Sequence, residues 1–311
     1  MIEIAVLIPC YNEEAAIAQV IKDFRSALPS AKIYVYDNNS RDRTVDEALK
    51  AGAIVRSEPL QGKGNVVRRM FADVEADVYV LVDGDATYDA ASAPRMVELL
   101  CKNSLDMVNG ARVTDIEKAY RLGHKFGNKL LTGMVATIFG TRLTDMLSGY
   151  RVLSRRYVKS FPALSAGFET ETELTVHAHE LRMPTAEIAT PYKDRPEGSI
   201  SKLNTFKDGF RVLWTILVLV KEEKPMLFFL VLSVLFALVS ALLVEPILME
   251  FLATGLVPRL PTAVLSMGLM IVAFLCLACG MILETVTRGR FEMKRMRYLN
   301  IPAPQFEDNG R

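Results

Sequence analysis

Two long apolar runs near the C-terminus restrict what this chain can fold into. Residues 225–244 carry no charged side chain over 20 positions, and residues 260–283 carry none over 24. Because an α-helix rises about 1.5 Å per residue, each run is long enough to cross a hydrocarbon core of roughly 30 Å. The alternative is a helical hairpin buried in a soluble protein. We therefore expect two transmembrane helices, at about 225–244 and 261–283, with the bilayer as a partner.

The charges around these runs predict an orientation. The segment that connects them, 245–259, carries two glutamates and one arginine, whereas the segment after them, 285–311, is a basic tail. Its basic residues include Arg288, Arg290, Lys294, Arg295 and Arg297. Because basic residues are retained on the cytoplasmic side, both termini are expected inside the cell. A strand-like run at 3–8 stands where a signal peptide would be, which also favours a cytoplasmic N-terminal domain.

The N-terminal part of the chain alternates short apolar runs with helical patterns. Strand-like runs fall at residues 4–8, 33–36, 53–55, 78–82 and 107–109. Between them, Ile17, Val20, Ile21 and Phe24 recur at helical spacing. Strands separated by helices indicate a mainly parallel sheet that is covered on both faces. We expect an α/β catalytic domain over residues 1–202.

Two helical stretches have the character of interfacial helices. Residues 203–224 place Phe206, Phe210 and Trp214 on one side, with basic residues elsewhere, and predict an amphipathic juxtamembrane helix. Residues 126–139 repeat this pattern more weakly. An ordinary helix that faces the core explains this second stretch equally well.

Two carboxylates follow the apolar strand at 78–82. The turn Asp83-Gly84-Asp85 comes directly after it, at the strand end where open α/β sheets bind ligands. Two carboxylates on one turn can hold a hard divalent cation, which in turn holds phosphate oxygens. The formal net charge of +1 gives no sign of a nucleic-acid partner. The pattern indicates a soluble phosphorylated donor, and the apolar runs indicate an acceptor in the membrane.

Polar clusters also follow the other predicted strands. Residues 9–14 and 37–40 end the first two strands, where carboxylates can bind a base or ribose and Tyr11 can stack on a base. Residues 37–40 are equally typical of a turn and a helix cap before Thr44. Residues 61–65 open the next helix, where the glycines allow close backbone approach and Lys63 can meet a phosphate.

In this order, residues 8–13, 37–40, 62–64 and 83–85 resemble the motifs of the family-2 glycosyltransferases. More narrowly, the chain resembles the polyprenyl-phosphate glycosyltransferases, the group that includes dolichol-phosphate mannose synthase. The resemblance extends over about residues 4–202, and the two apolar runs match the membrane-anchored branch. It implies a GT-A catalytic domain, Rossmann-like with a mainly parallel sheet, followed by a two-helix transmembrane hairpin.

The resemblance implies a donor site and a metal site. Asp83 and Asp85 are expected to coordinate Mg2+ or Mn2+ on the donor diphosphate, with Asp85 counted as catalytic. Relatives often carry a glutamine at the position of Thr87, so the third protein ligand stays open, with Asp89 nearby. Donor binding is assigned to Pro9, Tyr11, Asn12, Glu13, Asp37, Asn39, Lys63, Asp83 and Gly84.

Later motifs, at residues 109–112, 144–151 and 192–202, match those of the family and imply an acceptor site. Candidates to bind the acceptor phosphate or the diphosphate are Arg112, Arg151, Arg195, Ser201 and Lys202. Guanidinium groups are suited to neutralising the charge of a phosphate that meets a diphosphate, although each arginine can also be a surface cation.

Asp145 is the second catalytic candidate. A polyprenyl phosphate is already an anion near pH 7, since the second pKa of phosphate monoesters is about 6. It can attack the sugar without a strong base. We expect Asp145 to orient the sugar or the acceptor, with proton abstraction as a lesser role.

The sequence thus predicts an inverting, membrane-anchored glycosyltransferase of cell-envelope glycan synthesis. It would move a hexose from a nucleotide-diphosphate sugar, with a UDP-sugar slightly favoured over GDP-mannose, to undecaprenyl or dolichyl phosphate. One alternative is a polysaccharide synthase, although those usually carry a Gln-x-x-Arg-Trp segment and more spans. Another is a membrane-tethered protein that binds nucleotide sugars without turnover. The spans leave surface for packing into a homo-oligomer.

Overall fold

The computed structural model describes residues 2–113, 144–164, 167, 169–193, 214, 217, 218 and 220–303. The contacts divide the chain into two compact units. The first comprises Met1–Val212 together with Met293–Arg311, and the second comprises Leu213–Glu292.

A seven-stranded sheet forms the centre of the first unit. Its order is β3-β2-β1-β4-β6-β5-β7, and β6 alone runs antiparallel to its neighbours β4 and β5. The carboxyl ends of the other six strands therefore share one edge with the amino end of β6. The strands are β1 Ile4–Cys10, β2 Lys32–Asp37, β3 Ile54–Ser57, β4 Val78–Leu81, β5 Met107–Val113, β6 Arg151–Ser154 and β7 Thr185–Pro191.

Helices connect the strands and cover the sheet. The periodic residues of α1, Ile17, Val20, Ile21 and Phe24, are all buried, as their spacing predicts. They belong to a core that continues into the apolar residues of β1, β2 and β4. The helices of this unit are α1 Ile17–Ala27, α2 Thr44–Lys50, α3 Lys63–Asp73, α4 Ala93–Lys102, α5 Arg155–Ser160 and α6 Thr170–Glu180, with a 3-10 turn at Ala90–Ser92.

All five strands predicted from the sequence are present, which confirms the α/β class. Two strands, β6 and β7, escaped prediction for different reasons. Strand β6 has four residues and begins with a charged side chain, that of Arg151, which the structure buries completely. Strand β7 pairs with one neighbour only, and its sequence of small and polar residues lacks an apolar run.

The second unit contains two long apolar helices, α7 Pro225–Thr254 and α8 Leu260–Leu299, which are candidate membrane spans by length and composition. Both are longer than the predicted spans, and α8 includes the basic segment after residue 285. The helices pack on each other, since the Ser240 hydroxyl donates to the Ser266 carbonyl at 2.7 Å. Gly255 ends α7 with a φ of 70°, the left-handed conformation that suits a helix C-cap.

The end of α8, from Met293 onwards, belongs to the first unit. Lys294 Nζ lies 2.8 Å from Glu180 Oε2 at the end of α6. The Tyr298 hydroxyl donates to Oδ2 of the fully buried Asp106 at 2.8 Å. The Arg156 guanidinium lies over the Tyr298 ring at 4.9 Å from its centroid.

Of the two predicted interfacial helices, the structure describes only part of one. The stretch at 126–139 lies outside the described residues. Of 203–224, the structure describes Trp214, Leu217, Val218 and 220–224, where Trp214 and Leu217 are helical and exposed. The amphipathic role of this helix, and the predicted domain boundaries, stay predictions.

Candidate active site

The pairing of β1, β2 and β4 brings their polar carboxyl ends together. Asp37, the last residue of β2, lies opposite Cys10 of β1. Leu81, the last residue of β4, pairs with Arg151 of β6. A Cβ at Gly84 would lie 2.6 Å from Cys10 Sγ, so only glycine lets the turn after β4 pass this close to β1. Asp83 and Asp85 therefore lie at the predicted edge of the sheet.

Asp83 forms an ion pair with the ammonium group of Lys63. Lys63, the first residue of α3, lies with Nζ 2.5 Å from Asp83 Oδ1 and 2.5 Å from Glu171 Oε1. Burial alone would lower the pKa of Lys63, but the two carboxylates outweigh it and hold this pKa above its usual value. A charged lysine thus bridges Asp83 to Glu171 in the first turn of α6.

Asp85 is buried and oriented by its neighbour Thr87. The Thr87 hydroxyl donates to Asp85 Oδ1 at 2.6 Å, and the Thr87 amide donates to the same oxygen at 3.2 Å. Asp89, the other candidate for a third ligand, accepts from the Ser92 hydroxyl at 3.0 Å. Thr87 therefore orients the Asp85 carboxylate, and the third protein ligand stays a prediction.

The two carboxylates fit a hard divalent cation. Asp83 already holds a cation in the form of the Lys63 ammonium, which shows that its carboxylate faces a position suited to positive charge. A Cβ at Gly149 would lie 2.4 Å from Asp83 Oδ2, so a backbone without a side chain leaves room for this carboxylate. Within the described residues, no group of three or more His, Cys, Asp or Glu side chains could hold a metal ion. Such a cation would take its remaining ligands from phosphate and water oxygens.

Hydrogen bonds tie the loops after β1 and β2 to each other. The Asn12 amide donates to the Ser40 hydroxyl at 2.9 Å, and the Arg41 amide donates to Asn12 Oδ1 at 2.7 Å. The Glu13 amide donates to the Thr44 hydroxyl at 2.8 Å. Both loops use a left-handed residue, Asn12 with a φ of 53° and Asn39 with a φ of 66°. The turn at 37–40 is therefore held against residues 9–14, the other segment predicted to bind the nucleotide.

Six of the assigned donor residues lie at the ends of β1 and β2 or on the loops after them, and the other three, Lys63, Asp83 and Gly84, lie at the start of α3 and after β4. Asp37 and Glu13 are buried, whereas Pro9 and Tyr11 are half-buried. Asn39 Nδ2 donates to the Pro59 carbonyl at 2.9 Å, so this side chain holds the loop after β3. Their contacts with a donor stay predictions.

Asn38 is a supporting residue that the sequence did not single out. Its Nδ2 donates to the carbonyls of Glu58 and Leu60, and its Oδ1 accepts from the Gly62 amide at 2.7 Å. Gly62 has a φ of 130°, which only glycine adopts without strain. Asn38 thus fixes the loop that delivers Lys63. The turn pattern at 37–40 was the available signal.

Arg112 and Asp145 form a two-pronged ion pair across the edge of the sheet. Arg112 Nε and Nη2 donate to the two carboxylate oxygens of Asp145. The Arg112 guanidinium also lies over the Tyr192 ring, with Cζ 5.6 Å from the ring centroid. Glu187 of β7 secures the Asp145 loop, since its carboxylate accepts from the Thr144 amide at 2.8 Å and the Asp145 amide at 3.2 Å. Nothing in the sequence pattern had marked Glu187.

Arg151 is fully buried rather than open to the site. Its guanidinium donates to the carbonyls of Ser148, Met146 and Glu171 and to the Thr175 hydroxyl. These contacts join the 145–149 loop to α6, so in this structure the side chain supports the site. Its assignment as a phosphate ligand stays a prediction, and Arg195, Ser201 and Lys202 lie outside the described residues.

Comparison with known proteins decides the family. The sequence profile of glycosyl transferase family 2 matches residues 5–161, half of the chain, including both aspartates after β4. The chain belongs to glycosyl transferase family 2.

Relatives of this glycosyltransferase cover most of its length. Glycosyltransferase AglJ of Haloferax volcanii is 33% identical over 228 residues, which cover 73% of this chain and 75% of AglJ. A dolichyl-phosphate hexose transferase of the same organism is 26% identical over 222 residues, which cover 71% of this chain and 96% of the relative. These similarities confirm the resemblance found in the motifs.

A solved structure shares the fold of this glycosyltransferase. It is the glucosyl-3-phosphoglycerate synthase of Mycobacterium tuberculosis, in complex with Mn2+, UDP and glucosyl-3-phosphoglycerate. The likeness has a TM-score of 0.56 at 23% identity and covers 71% of this chain and 79% of the synthase. At this identity it shows the fold alone, and it confirms the predicted GT-A class.

Proposed function

We propose that this glycosyltransferase moves a hexose from a nucleotide-diphosphate sugar to a polyprenyl phosphate, undecaprenyl or dolichyl phosphate, with inversion at the anomeric carbon. One observation carries the proposal: this family-2 chain combines two carboxylates, Asp83 and Asp85, at the edge of its sheet with two candidate membrane helices. A relative named a dolichyl-phosphate hexose transferase supports a lipid acceptor.

The donor site is proposed at the linked loops after β1 and β2. Glu13 and Asp37 supply carboxylates for hydroxyl or base N–H groups, and the half-buried Tyr11 ring supplies a stacking surface. The mycobacterial synthase binds UDP, which agrees with the slight preference for a UDP-sugar over GDP-mannose.

Asp83 and Asp85 are the residues proposed to hold Mg2+ or Mn2+. When bound, this cation stabilises the charge of the leaving diphosphate. The complex of the mycobacterial synthase with Mn2+ and UDP supports a divalent cation as a cofactor. Thr87 keeps Asp85 oriented through its hydroxyl, which lies 2.6 Å from the carboxylate. Lys63 adds a fixed positive charge beside the same position.

The acceptor phosphate is proposed to meet the sugar near Arg112 and Asp145. A phosphate oxygen forms a bond to the anomeric carbon while the bond from this carbon to the diphosphate oxygen breaks, and the nucleoside diphosphate leaves with the electron pair. No proton has to be removed from the attacking oxygen, because it is already an anion. Asp145 holds Arg112 through both carboxylate oxygens, which favours an orienting role over proton abstraction.

Arg151, Arg195, Ser201 and Lys202 complete the proposed set of residues around the acceptor phosphate and the diphosphate. All four are proposed from the motifs, and the hydrogen bonds of Arg151 also hold the 145–149 loop on α6. The two helices are proposed to span the membrane with both termini in the cytoplasm, and their surfaces are proposed to support a homo-oligomer.

A donor screen tests this function. Full-length protein in detergent is mixed with undecaprenyl phosphate, Mn2+ or Mg2+ and one UDP- or GDP-sugar at a time, and the lipid-linked product is measured. One productive donor, with the product lost in Asp85→Asn, is the expected result. Free sugar without a lipid product would overturn the acceptor. Nucleotide binding without any product would instead favour a binding protein.

A further inference from the structure

Glu171 has no part in the proposed transfer so far, yet it contacts the site directly. It lies in the first turn of α6, and its Oε1 is 2.5 Å from Lys63 Nζ. The same ammonium lies 2.5 Å from Asp83 Oδ1. The side chains of Lys63 and Glu171 are 10% and 8% exposed, against 29% for Asp83. The ammonium is therefore shared between an inner carboxylate and one at the mouth of the site.

A divalent cation at Asp83 and this ammonium compete for the same carboxylate. Two positive charges within a few ångströms of each other repel, so a divalent cation at Asp83 weakens the contact of this carboxylate with the ammonium. If Asp83 were the only partner of Lys63, release of the ammonium would leave a buried charge without a counter-ion. Such a charge is strongly unfavourable. Glu171 removes this difficulty because it keeps the ammonium paired.

Glu171 also has the capacity to take over the ammonium. Its second oxygen, Oε2, is buried and has no hydrogen-bond partner among the described residues. A carboxylate can accept several hydrogen bonds, and an ammonium has three protons to donate. The start of a helix further stabilises the negative charge of Glu171. A small shift of Lys63 away from Asp83 is thus compensated locally.

We propose that Glu171 is a positioning residue that retains the Lys63 ammonium beside the site, so that Asp83 can exchange this ammonium for a divalent cation. In the exchanged state Lys63 remains on Glu171 as a fixed positive charge for the donor diphosphate. Without the cation, Asp83 keeps a counter-ion. The inference rests on the proposed metal site at Asp83 and Asp85.

Binding of Mn2+ to the full-length protein in detergent tests the exchange, with free Mn2+ followed by electron paramagnetic resonance. Glu171→Gln leaves Lys63 to Asp83 alone, so Mn2+ should bind roughly 5-fold or more weaker, the low end of typical coupling between ligands. In Lys63→Met, Mn2+ should bind tighter than in the wild type by a similar factor. The effect of Glu171→Gln should then vanish in the Lys63→Met background.

Two variants separate exchange from a general loss of charge. Glu173→Gln removes another buried carboxylate of the same helical turn, one that accepts from the Leu164 amide, and should leave Mn2+ binding unchanged. The double variant Lys63→Met/Glu171→Gln removes both charges, so it retains no unpaired ion should Lys63→Met alone fail to fold. It should bind Mn2+ tighter than the wild type.

The opposite results would overturn the inference. These are an equal effect of Glu173→Gln and Glu171→Gln, or a double variant that binds Mn2+ no tighter than the wild type. Wild-type protein that binds Mn2+ no better than Asp83→Asn would overturn the metal site and this inference together. Failure of the donor screen would remove the proposed function alone, because the Mn2+ titrations need no transfer.

Discussion

Arg112 and Asp145 are joined by two hydrogen bonds, Nε to Oδ2 at 2.7 Å and Nη2 to Oδ1 at 2.8 Å. Their side chains are 17% and 9% exposed, so solvent and salt screen this pair less than a surface pair. The planar fork allows the guanidinium only one orientation relative to the carboxylate. The direction in which Arg112 meets a ligand is thus set by Asp145 and, through the Asp145 loop, by Glu187.

Asp145→Asn tests whether this carboxylate orients or accepts a proton. The amide cannot accept from both guanidinium nitrogens, so Arg112 loses its fixed direction and kcat/KM should fall roughly 100-fold, as for other misplaced groups. The pH profile of the residual transfer should keep the wild-type shape. Loss of the acidic limb of that profile in the variant would show a general base instead. Asp145→Glu should recover part of the activity.

Gly149→Ala should damage the site without damaging the fold. The new methyl group would lie 2.4 Å from Asp83 Oδ2, so the carboxylate has to move away from its position. We expect a loss of transfer of about 100-fold with a higher requirement for Mn2+. Gly289→Ala is the matched control, because a Cβ there meets no atom within 4 Å. Equal transfer rates in the two variants would contradict the contact.

His177 should make the stability of the catalytic domain depend on pH. Burial lowers the pKa of His177 to about 3, well below that of an exposed histidine, and the charge of Lys294 adds to this effect. Because the unfolded chain binds the proton first, stability is complete above pH 6.5 and is lost as the pH falls towards 3. From pH 7 to pH 5 the free energy of unfolding should drop by about 2 kcal/mol.

Chemical denaturation of His177→Leu at these two pH values checks this expectation. The variant lacks the titrating ring, so its dependence on pH should be smaller by that amount, whatever its stability at pH 7. An unchanged slope would show that His177 is not the group responsible.

Tyr298→Phe probes the contact between the end of α8 and the catalytic domain. It removes the hydrogen bond to buried Asp106, and we expect the free energy of unfolding to fall by about 1–2 kcal/mol. Tyr34→Phe is a suitable control, since the described hydrogen bonds include none to the Tyr34 hydroxyl and its ring lies under Arg56. Thermal unfolding in detergent measures both. Equal melting temperatures would exclude a stabilising role for Tyr298.

The fold could be predicted where local pattern and tertiary environment agree. The apolar run at 78–82 and the helical spacing from Ile17 to Phe24 are dictated by burial, and both predictions are confirmed. Strand β6 could not be predicted, because buried Arg151 is tolerated there only through carbonyl acceptors supplied by the 145–149 loop and α6. No local pattern contains those partners.

The candidate site shows the same division. Asp83 and Asp85 were found because the strand before them is strongly apolar, and a single turn holds both. Glu171 and Glu187 were missed since each acts through a residue far away in sequence, Lys63 and Asp145 respectively. An acidic residue in the first turn of a helix, such as Glu171, is common and indicates no particular partner. Glu187 lies on the edge strand β7, whose sequence has no apolar run. Such pairings follow from topology rather than from spacing.

The measurement that tests the central claim most directly is the stoichiometry of a single transfer reaction. Full-length protein in detergent is given the productive nucleotide sugar with undecaprenyl phosphate, and nucleoside diphosphate and lipid-linked sugar are quantified together. We predict one nucleoside diphosphate released for each sugar on the lipid phosphate, and neither product in Asp85→Asn. Release of nucleoside diphosphate at the same rate with and without the lipid would contradict the account.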